Sequence, residues 1–325
     1  MNATCPNTTN VSFHDYQPEL ESFRHAVLHG LAHEHKQIPP KFFYDERGSQ
    51  LFEAILEQPE YYVPHVEKQL YRDYAPEIAT LIGAESVLIE PGSGSCEKVQ
   101  LLLDALRPAA YVPMDISGDF LRQSSAALGE TFPWLHIHAA CLDFTRELKL
   151  PQHVPQGRRV VFIPGSSLGN FDLPEAQHFL FHIAQLVGKG GGLLIGVDRK
   201  KDKAVLETAY NDAAGVTADF NLNLLVRINN ELGGNFDLAQ FAHYACYNEA
   251  MGRIEMHLTS LTAQRVQIAG KTFSFREGER IHTENSYKYH PAEFIALASA
   301  AGFTCEQHWT DPANLFGLYY CTVRA

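Results

Sequence analysis

Val87-Leu88-Ile89-Glu90-Pro91-Gly92-Ser93-Gly94-Ser95 joins an apolar run to a glycine turn. Four residues ending in an acid read as a buried strand, small residues turn the chain, and Cys96 to Leu106 reads as a helix. A strand, a glycine turn and a helix is how an α/β protein brings its backbone close to a nucleotide. Glycine matters there because a Cβ would block both the tight turn and the ligand. The third glycine of a dinucleotide fingerprint is missing. Taken alone, the turn fits a nucleotide site or an ordinary Gly-Ser loop equally well.

Downstream, Tyr111 to Asp115 reads as a second strand ending in an acid. Asp115 stands about twenty residues after the glycines, where an acid at a strand end can hold ribose hydroxyls. A third strand over Leu135 to Ala140 precedes Asp143, which could accept from an adenine amino group or cap a helix. Arg159 to Ile163 is a fourth strand, β-branched and aromatic. It runs into Pro164-Gly165-Ser166-Ser167-Leu168-Gly169-Asn170-Phe171, a loop placed beside the glycine turn at the ligand-binding edge of a doubly wound sheet. A helix over Glu175 to Leu186 and a fifth strand over Leu193 to Val197 continue the alternation, which implies a parallel sheet with helices on both faces.

The pattern then changes. Helices over Lys203 to Tyr210 and Ala218 to Leu232 lead into strand-like runs at Phe241 to Asn248, Arg253 to Ala263, Arg265 to Ile268 and Lys271 to Phe275. Short turns between consecutive strands imply an antiparallel sheet, hence an inserted unit that Phe275 to Lys288 closes. A helix over Pro291 to Ala301 and strands over Phe303 to Trp309 and Phe316 to Val323 finish the chain. An antiparallel closing hairpin is expected of a class I methyltransferase, whereas a dehydrogenase sheet usually stays parallel. Together with the two-glycine turn and the acids at 115 and 143, it favours S-adenosylmethionine over a dinucleotide. A methyl sulfonium is already activated, so transfer needs positioning and desolvation rather than a metal or a nucleophile.

Upstream, Tyr16 to His35 has helical spacing and stops at Ile38-Pro39-Pro40. A short helix through Leu51 to Leu56 and the segment Pro59 to Pro64 follow, dense in aromatics. That segment is a packing lid or a substrate wall of tyrosines, which offer ring surface and a hydroxyl together. A helix over Glu67 to Leu81 leads into the opening strand. Met1 to Ser12 is polar, lacks the apolar core of a signal peptide, and reads as a disordered tail.

Composition bounds the function. The chain has 325 residues, 45% hydrophobic and 20% charged, with net charge −12, which fits a soluble globular protein and disfavours a nucleic-acid binder. No apolar run reaches the length of a membrane span. Six cysteines without CxxC spacing read as free thiols in a reducing cytoplasm, and the 16 scattered histidines suggest no metal site. The expectation is a cytoplasmic monomer with a small-molecule substrate.

With these blocks in hand, the chain resembles the S-adenosylmethionine-dependent L-histidine Nα-methyltransferases of ergothioneine biosynthesis. The resemblance runs from about Leu31 to the C-terminus. It rests on Pro39-Pro40-Lys41-Phe42-Phe43-Tyr44-Asp45 with Gly48-Ser49-x-Leu51-Phe52, Pro59-Glu60-Tyr61-Tyr62, and Gly92-Ser93-Gly94-Ser95-x-Glu97-Lys98. It continues through Gly165-Ser166-Ser167-x-Gly169-Asn170, Gly215-Val216-Thr217-Ala218-x-Phe220-Asn221 and Arg253-Ile254-Glu255-Met256. Pro91 departs from the family's usual leucine-like residue and has no N–H to donate.

The resemblance implies that Gly92 and Lys98 line the cofactor site, that Asp115 holds its ribose and that Asp143 holds its adenine. It places Tyr44, Tyr61, Gly165, Asn170 and Tyr210 around the substrate's amino and carboxylate groups, with Tyr44 and Asn170 nearest the chemistry. Glu284 and Ser286 would bind the imidazole, with Met256 beside it. The implied reaction is three methylations of one amine, giving the betaine hercynine and three molecules of S-adenosylhomocysteine. Two other readings are an N-methyltransferase for another aromatic amino acid, such as a tryptophan derivative, and an inactive cofactor-binding module. Glu284 could instead pair with a nearby base, Met256 could be core filler, and Asn170 could be a left-handed turn residue.

The expected fold is α/β: a class I Rossmann-like methyltransferase sheet with an inserted α+β substrate-binding domain. The methyltransferase unit takes residues 63–198 and 287–325, and the substrate unit takes 1–62 and 199–286, with the substrate in the cleft between them.

Overall fold

The computed structural model describes residues 10–16, 22–145 and 148–324. In chain order the elements are β1 (Val11–Asp15), α1 (Phe23–Gly30), β2 (Lys36–Gln37), α2 (Glu46–Leu56), α3 (Val63–Ile82), β3 (Val87–Pro91), α4 (Glu97–Leu106), β4 (Ala110–Asp115), α5 (Gly118–Thr131) and β5 (Ile137–Cys141). There follow β6 (Arg159–Ile163), α6 (Leu173–Val187), β7 (Gly192–Asp198), α7 (Lys203–Ala209), α8 (Val216–Leu232), β8 (Phe241–Asn248) and β9 (Arg253–Ser260). The chain ends with β10 (Gln264–Ile268), β11 (Lys271–Phe275), β12 (Arg280–Tyr287), α9 (Pro291–Ala300), β13 (Phe303–Thr310) and β14 (Phe316–Val323).

Eight strands form the main sheet in the order β1-β5-β4-β3-β6-β7-β14-β13. The strands from β3 to β7 run parallel, and β14 and β13 are antiparallel. Every residue of β3 and of β7 is buried, because helices cover both faces. Apolar clusters fill the two faces. This is the class I methyltransferase arrangement. The strand order reverses at β3, so the crevice between the carboxyl ends of β3 and β6 is where a ligand is expected.

A second sheet, β2-β12-β9-β8, and the hairpin β10–β11 share one apolar core with α1, α2 and α8. Tyr61 and Tyr62 pack against this core and against one face of the main sheet, joining the two. Among the described residues no helix is long and apolar enough to cross a membrane. The five described cysteines are free thiols, with Cys305 facing Cys321 across the terminal hairpin.

Three expectations need correction. The polar tail was expected to run to Ser12 and the substrate unit to contain residues 11–15, yet 11–15 form β1, an edge strand parallel to β5 in the main sheet. The cause is a short period-two signal: Phe13 packs on Leu121 and Ala139, Arg122 stacks over its ring, and the Asn10 amide donates to three carbonyls of the α5–β5 connection. Residues 1–9 of the expected tail lie outside the described residues. The helix expected over 16–35 is α1 alone among the described residues, and Lys36–Gln37 pairs parallel with β12 instead. Finally, Phe275 to Lys288 is no mere closing segment: β12 is an inner strand of the second sheet. Its polar residues hid it, because they face a cavity rather than apolar core.

Candidate functional site

The glycine turn caps β3. Gly92 has φ +73° and its N–H donates to Met114 O at 2.7 Å, with the Ser93 N–H on the same carbonyl at 3.1 Å. The turn is thereby sewn to β4, and Asp115 is brought under it. One Asp115 oxygen accepts from the Gly94 N–H at 3.2 Å and the other from the Ser117 N–H at 2.9 Å. Burial raises the Asp115 pKa, and these N–H groups oppose the rise. A Cβ on Gly92 would touch the Phe144 ring at 3.4 Å, whereas one on Gly94 would meet nothing within 4 Å. The Ser93 hydroxyl is buried without a hydrogen-bond partner among the described residues. Tight backbone, open space at Gly94, an orphan hydroxyl and a strand-end carboxylate suit a nucleoside with ribose hydroxyls.

Asp143 lies past β5 and accepts from the Thr145 N–H at 3.1 Å and the Thr145 hydroxyl at 2.5 Å, capping a turn rather than a helix. Glu90, the acid that ends the sequence strand, turns inward: burial pushes its pKa to about 8, and the Tyr111 hydroxyl donates to it.

Lys98 connects this turn to the loop after β6. Its ammonium lies 2.7 Å from Glu67 Oε2, and Glu67 Oε1 accepts from the Gly165 N–H at 2.8 Å. Gly165 has φ +80°, and a Cβ there would stand 2.9 Å from Lys98 Nζ. A fully buried glutamate on α3, unmarked in the sequence reading, therefore ties an expected cofactor residue to an expected substrate residue.

All eight expected substrate residues line one cavity. The 3₁₀ turns Pro40–Phe43 and Ser167–Asn170 bring in Tyr44 and Asn170. Asn170 is not left-handed; Ser166, with φ +64°, takes that conformation. Tyr61 meets Tyr210 edge-on at 5.9 Å, and Tyr44 meets the Phe52 and Phe220 rings edge-on. Burial first, then Glu284, Tyr61, Asp115 and Tyr210, hold the Tyr44 phenol well above its ordinary pKa. Tyr44 thus feels both the strand-end acid and the far end of the cavity. The four expected cofactor residues do not line this cavity; they stand at the carboxyl ends of β3 to β5 beside it.

Glu284 and Ser286 owe their direction to a bulge. In the β9–β12 register, His282 opposes His257 but Glu284 opposes Met256, leaving Thr283 as the extra residue. Without it every later residue of β12 would change face. Glu284 and Ser286 would then turn outward. The Thr283 hydroxyl pins the bulge, its single hydrogen shared between Asn221 Oδ1 at 2.9 Å and Met256 O at 3.1 Å. Glu284 has no hydrogen-bond partner among the described residues and pairs with no base; burial raises its pKa to about 7, against the pull of Lys288. Met256 is nearly buried and also reaches the cavity wall.

Lys288, Asp198, Lys201 and Tyr62 were not found from the sequence. Lys288 and Asp198 line the cavity and pair at 2.8 Å. Asp198 also accepts from Lys201 at 2.5 Å and from the Tyr62 hydroxyl at 2.8 Å. Burial alone would raise the Asp198 pKa, but the two lysines outweigh it and hold it below the ordinary value. The available signal was again an acid at a strand end, here of β7.

On the outer face of the second sheet, Cys246, Glu255 and His257 place three potential metal-ligand atoms within 4.8 Å of one another. The Arg253 guanidinium pairs with Glu255 at 2.7 Å.

A family model described as histidine-specific, S-adenosylmethionine-dependent methyltransferase matches residues 23–323. A histidine N-alpha-methyltransferase of Mycolicibacterium smegmatis is 42% identical over 304 residues, 92% of this chain and 94% of that protein. A protein of the same name from Mycobacterium tuberculosis is 39% identical over 91% and 94% of the two chains. Ergothioneine biosynthesis protein 1 of Neurospora crassa is 32% identical over 87% of this chain and 33% of that protein.

Proposed function

The chain belongs to the histidine-specific, S-adenosylmethionine-dependent methyltransferases and methylates the α-amino group of L-histidine; on that premise we propose how its cavity does so, three times on one nitrogen, giving hercynine for ergothioneine biosynthesis. The observation that carries the proposal is the unpartnered Glu284 carboxylate beside the Ser286 hydroxyl in a tyrosine-walled cavity. An imidazole offers one N–H and one bare nitrogen, and these two groups can take both.

The methyl donor would be held by Gly92, Lys98, Asp115 and Asp143, and when bound it supplies a methyl group already activated on a sulfonium. The chain's own residues do the rest. Glu284 and Ser286 fix the ring, so the α-amino end is directed toward Tyr44, Asn170 and the glycine turn. The Gly165 N–H is committed to Glu67, which holds that loop in place for the substrate's carboxylate. Tyr61 and Tyr210 wall the amino and carboxylate groups without adding a formal charge near the sulfonium.

The amine must lose its proton before each transfer. Tyr44 is a poor acceptor, because desolvation of its hydroxyl end and its acidic neighbours hold its pKa above the ordinary value, and the Asn170 amide is no base. The proton leaves to water, and rate comes from positioning and desolvation. The cytoplasmic location, the monomeric state and the lack of a resident metal belong to the same proposal.

Mass spectrometry of a reaction with S-adenosylmethionine and a panel of free amino acids tests the proposal. Gains of one, two and three methyl groups on histidine alone are expected. Methylation of tryptophan or of a peptide, with histidine untouched, would overturn it.

A further inference from the structure

Lys288 lies two residues beyond Ser286, and its side chain is only 1% exposed. Its ammonium makes three contacts: Asp198 Oδ2 at 2.8 Å, Ser286 Oγ at 2.7 Å and the Tyr210 hydroxyl at 3.1 Å. An ammonium has three donors and no acceptor, so each of these oxygens accepts from it. The Tyr210 hydroxyl in turn donates to Ser286 Oγ at 2.8 Å. Both lone pairs of the serine oxygen are then occupied. Its own hydrogen has no acceptor among the described residues and is free to enter the cavity. The Asp198 carboxylate, further held by Lys201 and Tyr62, supplies the counter-charge that keeps Lys288 in place.

We propose that Lys288 is a positioning residue of the imidazole site: by filling the acceptor positions of Ser286 it makes that hydroxyl a donor only, so that the cavity takes the neutral imidazole, N–H on Glu284 and bare nitrogen on Ser286. This deepens the reading of the site given above and rests on it. An imidazolium, with two N–H groups, would set one donor against another. An indole satisfies Glu284 but leaves the serine hydroxyl unpaired, which a buried polar site penalises.

The test is a double-mutant cycle between Lys288→Met and Ser286→Ala. It is read as the histidine dissociation constant by calorimetry with S-adenosylhomocysteine present, and as kcat/KM. Each single change is expected to weaken histidine binding roughly ten- to a hundredfold, the range for unpairing a buried polar group. The double variant should be no weaker than the poorer single, because one interaction is removed twice. Lys288→Met should also lose the Ser286 share of the preference for histidine over 2-thienylalanine, which has no ring nitrogen, and keep the share owed to Glu284. Losses that multiply, or a Lys288→Met enzyme that binds histidine normally, would overturn the role.

Circular dichroism and S-adenosylhomocysteine affinity report the fold. Should Lys288→Met not fold, Tyr210→Phe, which frees one serine lone pair and keeps the buried ion pair, takes its place in the same cycle with the same criteria. If the unaltered enzyme fails to bind histidine, the site reading itself falls. If it binds histidine but the cycle shows no coupling, only the Lys288 role falls.

Discussion

Replacing Glu284 by Gln should stabilise the free protein at alkaline pH while weakening its hold on histidine. Burial raises the Glu284 pKa from 4.5 to about 7. A pKa raised on folding means that the folded protein binds the proton more tightly than the unfolded chain. Its contribution to stability is therefore complete below pH 4.5 and is lost as pH rises through about 7. At roughly 1.4 kcal/mol per tenfold change in proton affinity, the ionised group costs the fold about 3 kcal/mol at most at pH 8. Water reaching the cavity lowers this, so a gain of about 1–3 kcal/mol is expected for Glu284→Gln at pH 8, and under about 1 kcal/mol at pH 5. Over a chain of this size that is a melting shift of about 2–4 °C at pH 8 and about 1 °C or less at pH 5. The amide oxygen can still accept the imidazole N–H but without charge, so histidine KM should rise about tenfold. Thermal melts of both proteins at the two pH values, with steady-state kinetics, supply the readout. Equal melting shifts at pH 5 and pH 8, or a loss of stability at pH 8, would mean that Glu284 is not a desolvated, unpartnered carboxylate.

Other expectations follow from single contacts. Thr283→Val keeps the volume but removes the hydroxyl that pins the β12 bulge. It should cost about 1–3 kcal/mol in denaturant melts and raise histidine KM several-fold, with S-adenosylhomocysteine affinity unchanged; an unaltered KM would mean the bulge needs no pin. Gly165→Ala forces a left-handed alanine, at a cost of about 1–2 kcal/mol, and presses its methyl against Lys98 Nζ. Calorimetry should find histidine and S-adenosylhomocysteine both bound more weakly, and loss of only one would break the proposed link through Glu67. Tyr44→Phe should slow transfer about tenfold or less, as for one lost orienting hydrogen bond. Complete loss of turnover with both ligands still bound would instead make Tyr44 the proton acceptor.

Much of the architecture was readable because it is local. The strand-turn-helix at Val87–Leu106 follows from an apolar run, two glycines and a helical stripe, and β4, β6 and β7 are equally plain. The acid at 115 was found by its offset from the turn. β1 was missed because five residues beside a polar tail carry too little periodicity, and their pairing partner lies more than a hundred residues away. β12 was missed for the opposite reason: its inward residues are polar because they face a ligand cavity, which breaks the pattern by which strands are recognised.

The methyltransferase fold, the glycine turn and, through the ordered motif blocks, the side chains that line the cavity were legible in the sequence. Where those side chains point was set by tertiary contacts. Period-two alternation alone cannot say that Thr283 is an extra residue in β12, and that one residue turns Glu284 and Ser286 into the cavity. Nor can spacing reveal that Lys288 is buried against Asp198, Ser286 and Tyr210, since a lysine after a strand reads as solvated unless a distant carboxylate waits to receive it. Hydrogen-bond direction depends on three-dimensional neighbours, and under the proposal for Lys288 it sets the form of the ring that fits.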